Sequence, residues 1–214
     1  MIRISAFRWV PPFAAGLVRD LRVRWALEEA GLPYEARLLS QGEQDSPDYR
    51  ALQPFGQVPI YEEGDLVLFE SGAILLHIAE RSEILLPSEA AARARAIQWV
   101  FAALNSIEPH VQNLASIDLF YAEEEWAKLR RPSAVAFLEK RLDALSARLG
   151  EGDYLEDGRF TAGDLMMTTV LRILRHTELV ASRPLLDAYQ HRCEARPAFQ
   201  KALADQLAPF AEAQ

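Results

Sequence analysis

The sequence predicts an α/β domain followed by an all-α domain, and three observations carry that prediction. Strand-length apolar runs alternate with helical patterning only over about the first 80 residues. Beyond Leu86-Pro87 the strand signal stops, and apolar side chains recur at three- and four-residue steps. The composition, 50% apolar and 25% charged over 214 residues, suits chains that bury a core rather than disordered ones.

Each element follows from its local pattern. Ile2 and Ile4 alternate with Arg3 and Ser5, as in a half-buried strand over residues 2–7. Leu17, Leu21 and Trp25 lie at helical spacing, and Gly31 with Pro33 stops that helix, which is predicted over 17–30. Residues 34–39 read as a second strand. Ser46-Pro47 opens a short helix ending before Pro54. Runs at 58–61 and 66–69, separated by Glu62-Glu63-Gly64-Asp65, read as a hairpin. A helix over 71–81 follows, with Ser71 at its start. One crossover and one hairpin make a mixed four-strand sheet.

The second half reads as helices over 88–122, 132–149, 161–177, 183–196 and 197–207, with Pro109 expected to kink or divide the first. The predicted domains are 1–82 and 88–214.

Charge and cysteine usage narrow the partners. With 31 acidic and 23 basic residues the formal net charge is −8, which argues against nucleic acid or an anionic membrane. No uncharged apolar stretch reaches the roughly 18 residues that span a bilayer, and the start lacks a leader pattern. A single cysteine, Cys193, fits a cytoplasmic protein and reads as a buried structural thiol. The histidines lack metal-ligand spacing, so no metal is expected. Only Lys128, Lys140 and Lys201 are lysines. An anion site in the first half must therefore use arginine, neutral side chains or main-chain N–H groups.

Five segments carry a specific likeness. They are Gln53-Pro54-Phe55-Gly56-Gln57-Val58-Pro59-Ile60, the stretch from Gly64-Asp65 through Phe69-Glu70-Ser71 to Ala73-Ile74, Gly42-Glu43-Gln44 before Ser46-Pro47, Arg22-Val23-Arg24-Trp25-Ala26-Leu27-Glu28-Glu29, and Phe160-Thr161-Ala162-Gly163-Asp164. Taken in their order along the chain, which runs from Arg22 to Asp164, they resemble the cytosolic glutathione S-transferase family. The resemblance implies a thioredoxin-like first domain of order βαβαββα and an all-helical second domain. It further implies glutathione as co-substrate and a homodimer.

The resemblance also implies roles for residues. A cis bond at Val58-Pro59 would leave the Val58 N–H and C=O turned outward to pair with a cysteinyl peptide. Ser71 at a helix N-terminus suits the γ-glutamyl carboxylate, which Gln57 can also reach, and Glu70 suits the adjacent ammonium. Gln44 falls at the glycine end, where Asp45 would repel a carboxylate and Arg37 is a possible cation. Taken alone, Val58-Pro59 is an edge proline with a trans bond, Ser71 an ordinary cap and Glu70 a solvated charge. Thr161 and Asp164 form a capping box, a folding element.

One departure stands out. Family members usually carry Tyr, Ser or Cys between the first strand and first helix, whereas residues 7–24 here contain no Ser, Thr, Cys or Tyr, and aligning on Arg22-Val23-Arg24 puts Leu17 in that place. Ser5 lies within the strand. The remaining sources of positive potential are the helix N–H groups near Leu17 and Val18 and the side chain of Arg19. Arg19 is the expected catalytic group, against the alternative of a surface arginine. Trp9 and Phe13 are expected to wall an apolar electrophile site, with Asn105, His110 and Tyr121 as further candidates.

The leading expectation is a glutathione transferase acting in detoxification on a small hydrophobic electrophile. The alternatives are a glutathione-dependent isomerase or dehalogenase, and a binding protein without chemistry.

Overall fold

The computed structural model describes residues 1–156 and 158–212. The chain divides into two compact units, Met1–Pro87 with Ala195–Gln214, and Ser88–Glu194. The first unit opens with β1 (Ile2–Phe7), α1 (Asp20–Ala30) and β2 (Tyr34–Leu39). It continues with α2 (Pro47–Leu52), β3 (Tyr61–Glu63), β4 (Leu66–Leu68) and α3 (Ser71–Ala79). The sheet order is β2-β1-β3-β4. β1 runs parallel to β2 and antiparallel to β3, which pairs antiparallel with β4. This is the mixed four-strand sheet expected from one crossover and one hairpin, in the thioredoxin-like arrangement that the resemblance implies.

Two local differences have physical causes. α1 begins at Asp20 rather than at residue 17, because the preceding chain closes as turns. The Ala14 N–H donates to the Pro11 carbonyl at 2.8 Å and the Leu17 N–H to the Ala14 carbonyl at 3.0 Å. β3 begins at Tyr61 rather than at residue 58. Pro59 has no N–H to give a ladder, so regular pairing starts beyond it.

The second unit comprises α4 (Ala90–Phe101), α5 (Glu108–Leu119), α6 (Glu125–Leu149), α7 (Ala162–Leu171) and α8 (Pro184–Glu194). The long helix predicted over 88–122 is divided by a π-helical stretch, Ala102–Ile107. Pro109 lies in the first turn of α5, directly after the π-helical stretch, whose Glu108 N–H still donates to the Ala103 carbonyl. α6 starts before the predicted residue 132 and carries Pro132 inside it.

Every residue of α7 is buried. Its N-terminus holds the expected capping box: Thr161 Oγ1 accepts from the Gly163 N–H at 3.2 Å, and Asp164 accepts from the Thr161 N–H at 2.9 Å. Asp164 also accepts from the Leu155 N–H at 2.9 Å and the Tyr189 hydroxyl at 3.0 Å. Gly163 lets α7 approach α4. A Cβ there would stand 2.5 Å from the Trp99 Cβ. Cys193 is buried in α8.

The last helix, α9 (Pro197–Glu212), packs on α1 in the first unit instead of joining the helical domain drawn over 88–214. Its Phe199 ring meets the fully buried Trp25 edge-on at 4.8 Å between centroids. Arg196, just before it, donates to Glu29 at 2.7 Å. Gln206 reaches the buried Asp20 at 2.6 Å.

Candidate functional site

The residues ahead of β3 are built around a buried apolar cluster of Leu39, Tyr49, Val58 and Ile60, against which Phe7, Val18 and Leu52 pack. The Val58–Pro59 bond is cis. Hydroxyl groups fix the chain on either side. The Ile60 N–H donates to Ser5 Oγ at 2.7 Å, and the Ser5 N–H donates to the Ile60 carbonyl at 2.9 Å. Ser5 Oγ lies 2.8 Å from the Tyr49 hydroxyl, which donates to the Gln57 carbonyl at 2.7 Å. Burial holds the Tyr49 phenol above its ordinary range, so it stays a donor at neutral pH. Among the described residues, the Val58 N–H and C=O have no hydrogen-bond partner. Gln57 is exposed beside them.

The second group converges at the start of α3. Glu70 has φ +70°, a conformation that L side chains rarely adopt, and its side chain is exposed. The Ile74 N–H donates to the Glu70 carbonyl at 3.0 Å, so the first-turn amides before it have no helical acceptor. Ser71 is buried there, and the buried Arg22 of α1 donates to its Oγ at 3.1 Å. A cation, a hydroxyl and a helix N-terminus thus meet at one point, which suits a carboxylate.

The third group is a cavity of about 220 Å³ lined by Phe7, Trp9, Val10, Pro11, Leu39, Gln41 and Gln44. Gln44 donates to Asp45 at 3.1 Å, while its amide oxygen is buried with no partner among the described residues. The Asp45 charge is met by Arg50 at 2.6 Å, which offsets the repulsion expected of it. Arg37 is bound to Glu43 at 2.8 Å and holds that carboxyl below the usual range, so it is not a spare cation for a glycine carboxylate. Trp9 lines this cavity, whereas Phe13, also exposed, does not.

The segment before α1 departs from expectation. The Leu17 N–H is consumed by the Ala14 carbonyl. The helix terminus lies at Asp20, whose carboxylate accepts from Arg24 at 2.8 Å and from Gln206 at 2.6 Å. Burial pushes the Asp20 carboxyl above the usual carboxylate range, and Arg24 pulls it back. Arg19 is half-buried immediately before the helix, next to Val18, which packs on the Val58 cluster.

Sequence reasoning missed Arg22, Ser5 and Tyr49 as contributors. An arginine three residues from Trp25 and one from Leu21 on a buried helix face was the available signal for Arg22. The pairing of Ser5 with Tyr49 spans 44 positions and had no local signal.

A thioredoxin-like domain with these main-chain and helix-end features, linked to a helical domain, defines the class. Residues 14–80 match the family profile described as glutathione S-transferase, N-terminal domain, and residues 125–197 that of the glutathione S-transferase C-terminal domain. Glutathione S-transferase 4 of Zea mays is 30% identical over 208 residues, covering 92% of this chain and 91% of its own. Glutathione S-transferase 3 of the same plant is 35% identical over 199 residues, covering 86% and 88%.

Among solved structures, glutathione transferase F7 from Populus trichocarpa superimposes with a TM-score of 0.82 at 26% identity, covering 97% of this chain and 99% of that one. A glutathione transferase from Burkholderia graminis, with two glutathione molecules bound per subunit, gives 0.83 at 28%, covering 95% and 87%. The chain belongs to the glutathione S-transferase family.

Proposed function

We propose that this protein binds glutathione at the Val58–Ser71 face and joins its sulfur to a small hydrophobic electrophile. The observation that carries the reading is the pair of Val58 main-chain groups that have no partner among the described residues, beside the sheet and anchored on both sides. A cysteinyl peptide laid antiparallel satisfies both groups at once. The γ-glutamyl carboxylate then falls to Ser71, Gln57 and the α3 amides, with Arg22 behind Ser71. Glu70 takes the ammonium, and Pro59 shapes the edge between the two ends. Gln44 takes the glycine end, where its orphaned amide oxygen accepts a peptide N–H. Trp9 and Phe13 offer apolar surface to the electrophile.

In the reaction the thiol loses its proton to solvent. Its sulfur then forms the new C–S bond as the electrophile releases its leaving group. Arg19 is the cation this reading assigns to the thiolate, and Val18 packing on the Val58 cluster supports that placement. The protein works as a cytoplasmic homodimer, and the exposed Phe55–Phe69 pair, 6.1 Å between ring centroids, supplies apolar surface for a second copy. No metal, nucleic acid or membrane enters the reading.

A calorimetric titration with glutathione, followed by an aryl halide assay, tests it. Binding together with halide release is expected, and no binding overturns it. The pKa of bound glutathione in Arg19→Ala tests the assignment of the cation: a rise toward that of free glutathione is expected, and an unchanged value rejects it.

A second reading, glutathione binding without conjugation, is favoured by one observation. Residues 7–24 carry no hydroxyl or thiol, and the nearby Ser5 and Tyr49 hydroxyls are bound to each other and to the main chain. Binding without turnover would select this reading or the isomerase alternative.

A further inference from the structure

We propose that Tyr49 and Ser5 are positioning residues that aim the Val58 main chain at the glutathione cysteine. The inference rests on the glutathione-binding reading given above. In a trans peptide the C=O and N–H of one unit point in opposite directions. The unit between Gln57 and Val58 carries the Gln57 carbonyl on one side and the Val58 N–H on the other. Tyr49 donates to that carbonyl at 2.7 Å and so draws it toward the core. The Val58 N–H must then face away, toward the ligand.

Ser5 does the same work on the far side of Pro59. β1 and β3 pair from Ile2 against Glu63 to Ile4 against Tyr61, which places Ser5 opposite Ile60 one step further on. There the Ser5 N–H donates to the Ile60 carbonyl, but the Ile60 N–H is taken by the Ser5 hydroxyl rather than by a carbonyl.

The proton order is determined throughout. The Tyr49 hydroxyl spends its hydrogen on the Gln57 carbonyl, so Ser5 must donate to the Tyr49 oxygen. Ser5 Oγ in turn accepts from the Ile60 N–H. Every member of the relay is satisfied, and all of it is buried apart from Gln57. A fully satisfied buried network holds one arrangement, because any other strands a polar group away from water. The dipeptide is thereby fixed at both flanks, which lowers the ordering that a bound peptide would otherwise have to impose.

The test is Tyr49→Phe, which keeps the ring among Leu39, Val58 and Ile60 and removes only the hydroxyl. The Kd and KM for glutathione should rise about tenfold, in the range of one lost buried hydrogen bond. At saturating glutathione, kcat and the KM for the aryl halide should stay within about twofold of the parent. Leu52→Ala, a packing change at the same cluster, should lower Tm while leaving the Kd for glutathione unchanged. Ser5→Ala is the second variant, read by the same titration if Tyr49→Phe does not fold, and it should raise that Kd about threefold.

An unchanged Kd in a folded Tyr49→Phe, or an equal rise in Leu52→Ala, overturns the positioning role while the glutathione reading stands. A parent protein that binds no glutathione overturns both.

Discussion

Replacing Ser71 by alanine is the sharpest probe of the helix-end subsite. Ser71 is 5% exposed, opens α3 and accepts from the Arg22 guanidinium at 3.1 Å. The substitution removes one hydroxyl that stands between a buried cation and the place assigned to the γ-glutamyl carboxylate. A hydrogen bond to a charged partner contributes about 1.5–3 kcal/mol. At about 1.4 kcal/mol per decade, that weakens glutathione binding roughly 10- to 150-fold.

The assay is calorimetric titration of parent and Ser71→Ala with glutathione and with an analogue lacking the γ-glutamyl α-carboxylate. Parent affinity should fall for the analogue, and the two losses should not add, since both delete the same contact. Full additivity, or an unchanged Kd for glutathione in Ser71→Ala, would refute the assignment of the carboxylate to Ser71.

Other consequences reach beyond the ligand. Asp164→Ala removes the acceptor for the Leu155 and Thr161 amides and the Tyr189 hydroxyl, and should cost about 3 kcal/mol, lowering Tm by roughly 10 °C in a thermal melt. Glu70→Gly relieves a positive φ and should raise stability by about 1 kcal/mol while weakening glutathione binding, a trade visible in paired melts and titrations. Burial raises the phenols of Tyr34, Tyr49, Tyr61 and Tyr189 above their ordinary range. Unfolded tyrosines ionise near pH 10, so the unfolded chain releases these protons first. Their contribution is intact below about pH 10 and is lost as pH rises beyond it, which Tm against pH and absorbance at 295 nm should both record.

The fold was legible where local pattern and tertiary structure agree. Ile2–Phe7, Tyr34–Leu39 and the hairpin across Gly64 follow from alternation and turn chemistry, and the Thr161–Asp164 cap follows from spacing alone. Boundaries set by tertiary contacts were not legible. The delayed start of α1 depends on the turns closed by Ala14 and Leu17, and the return of α9 depends on Phe199 finding Trp25.

The site divides the same way. The main-chain groups of Val58 and the end of α3 lie inside short segments, so the sequence pointed at them. Arg22, Ser5 and Tyr49 act across 49, 55 and 8 positions, on Ser71, Ile60 and Gln57 respectively, and only the folded chain brings those pairs together. Arg37 illustrates the converse. Its charge was plain in the sequence, but its engagement by Glu43 was not.

Amide chemical shifts of the isotope-labelled protein, followed through a glutathione titration, test the central claim most directly. The Val58, Ser71 and Gly72 N–H signals should move together along one saturable curve, with Ile60 protected from exchange throughout. Saturable binding that leaves the Val58 and Ser71 amides unmoved would contradict it.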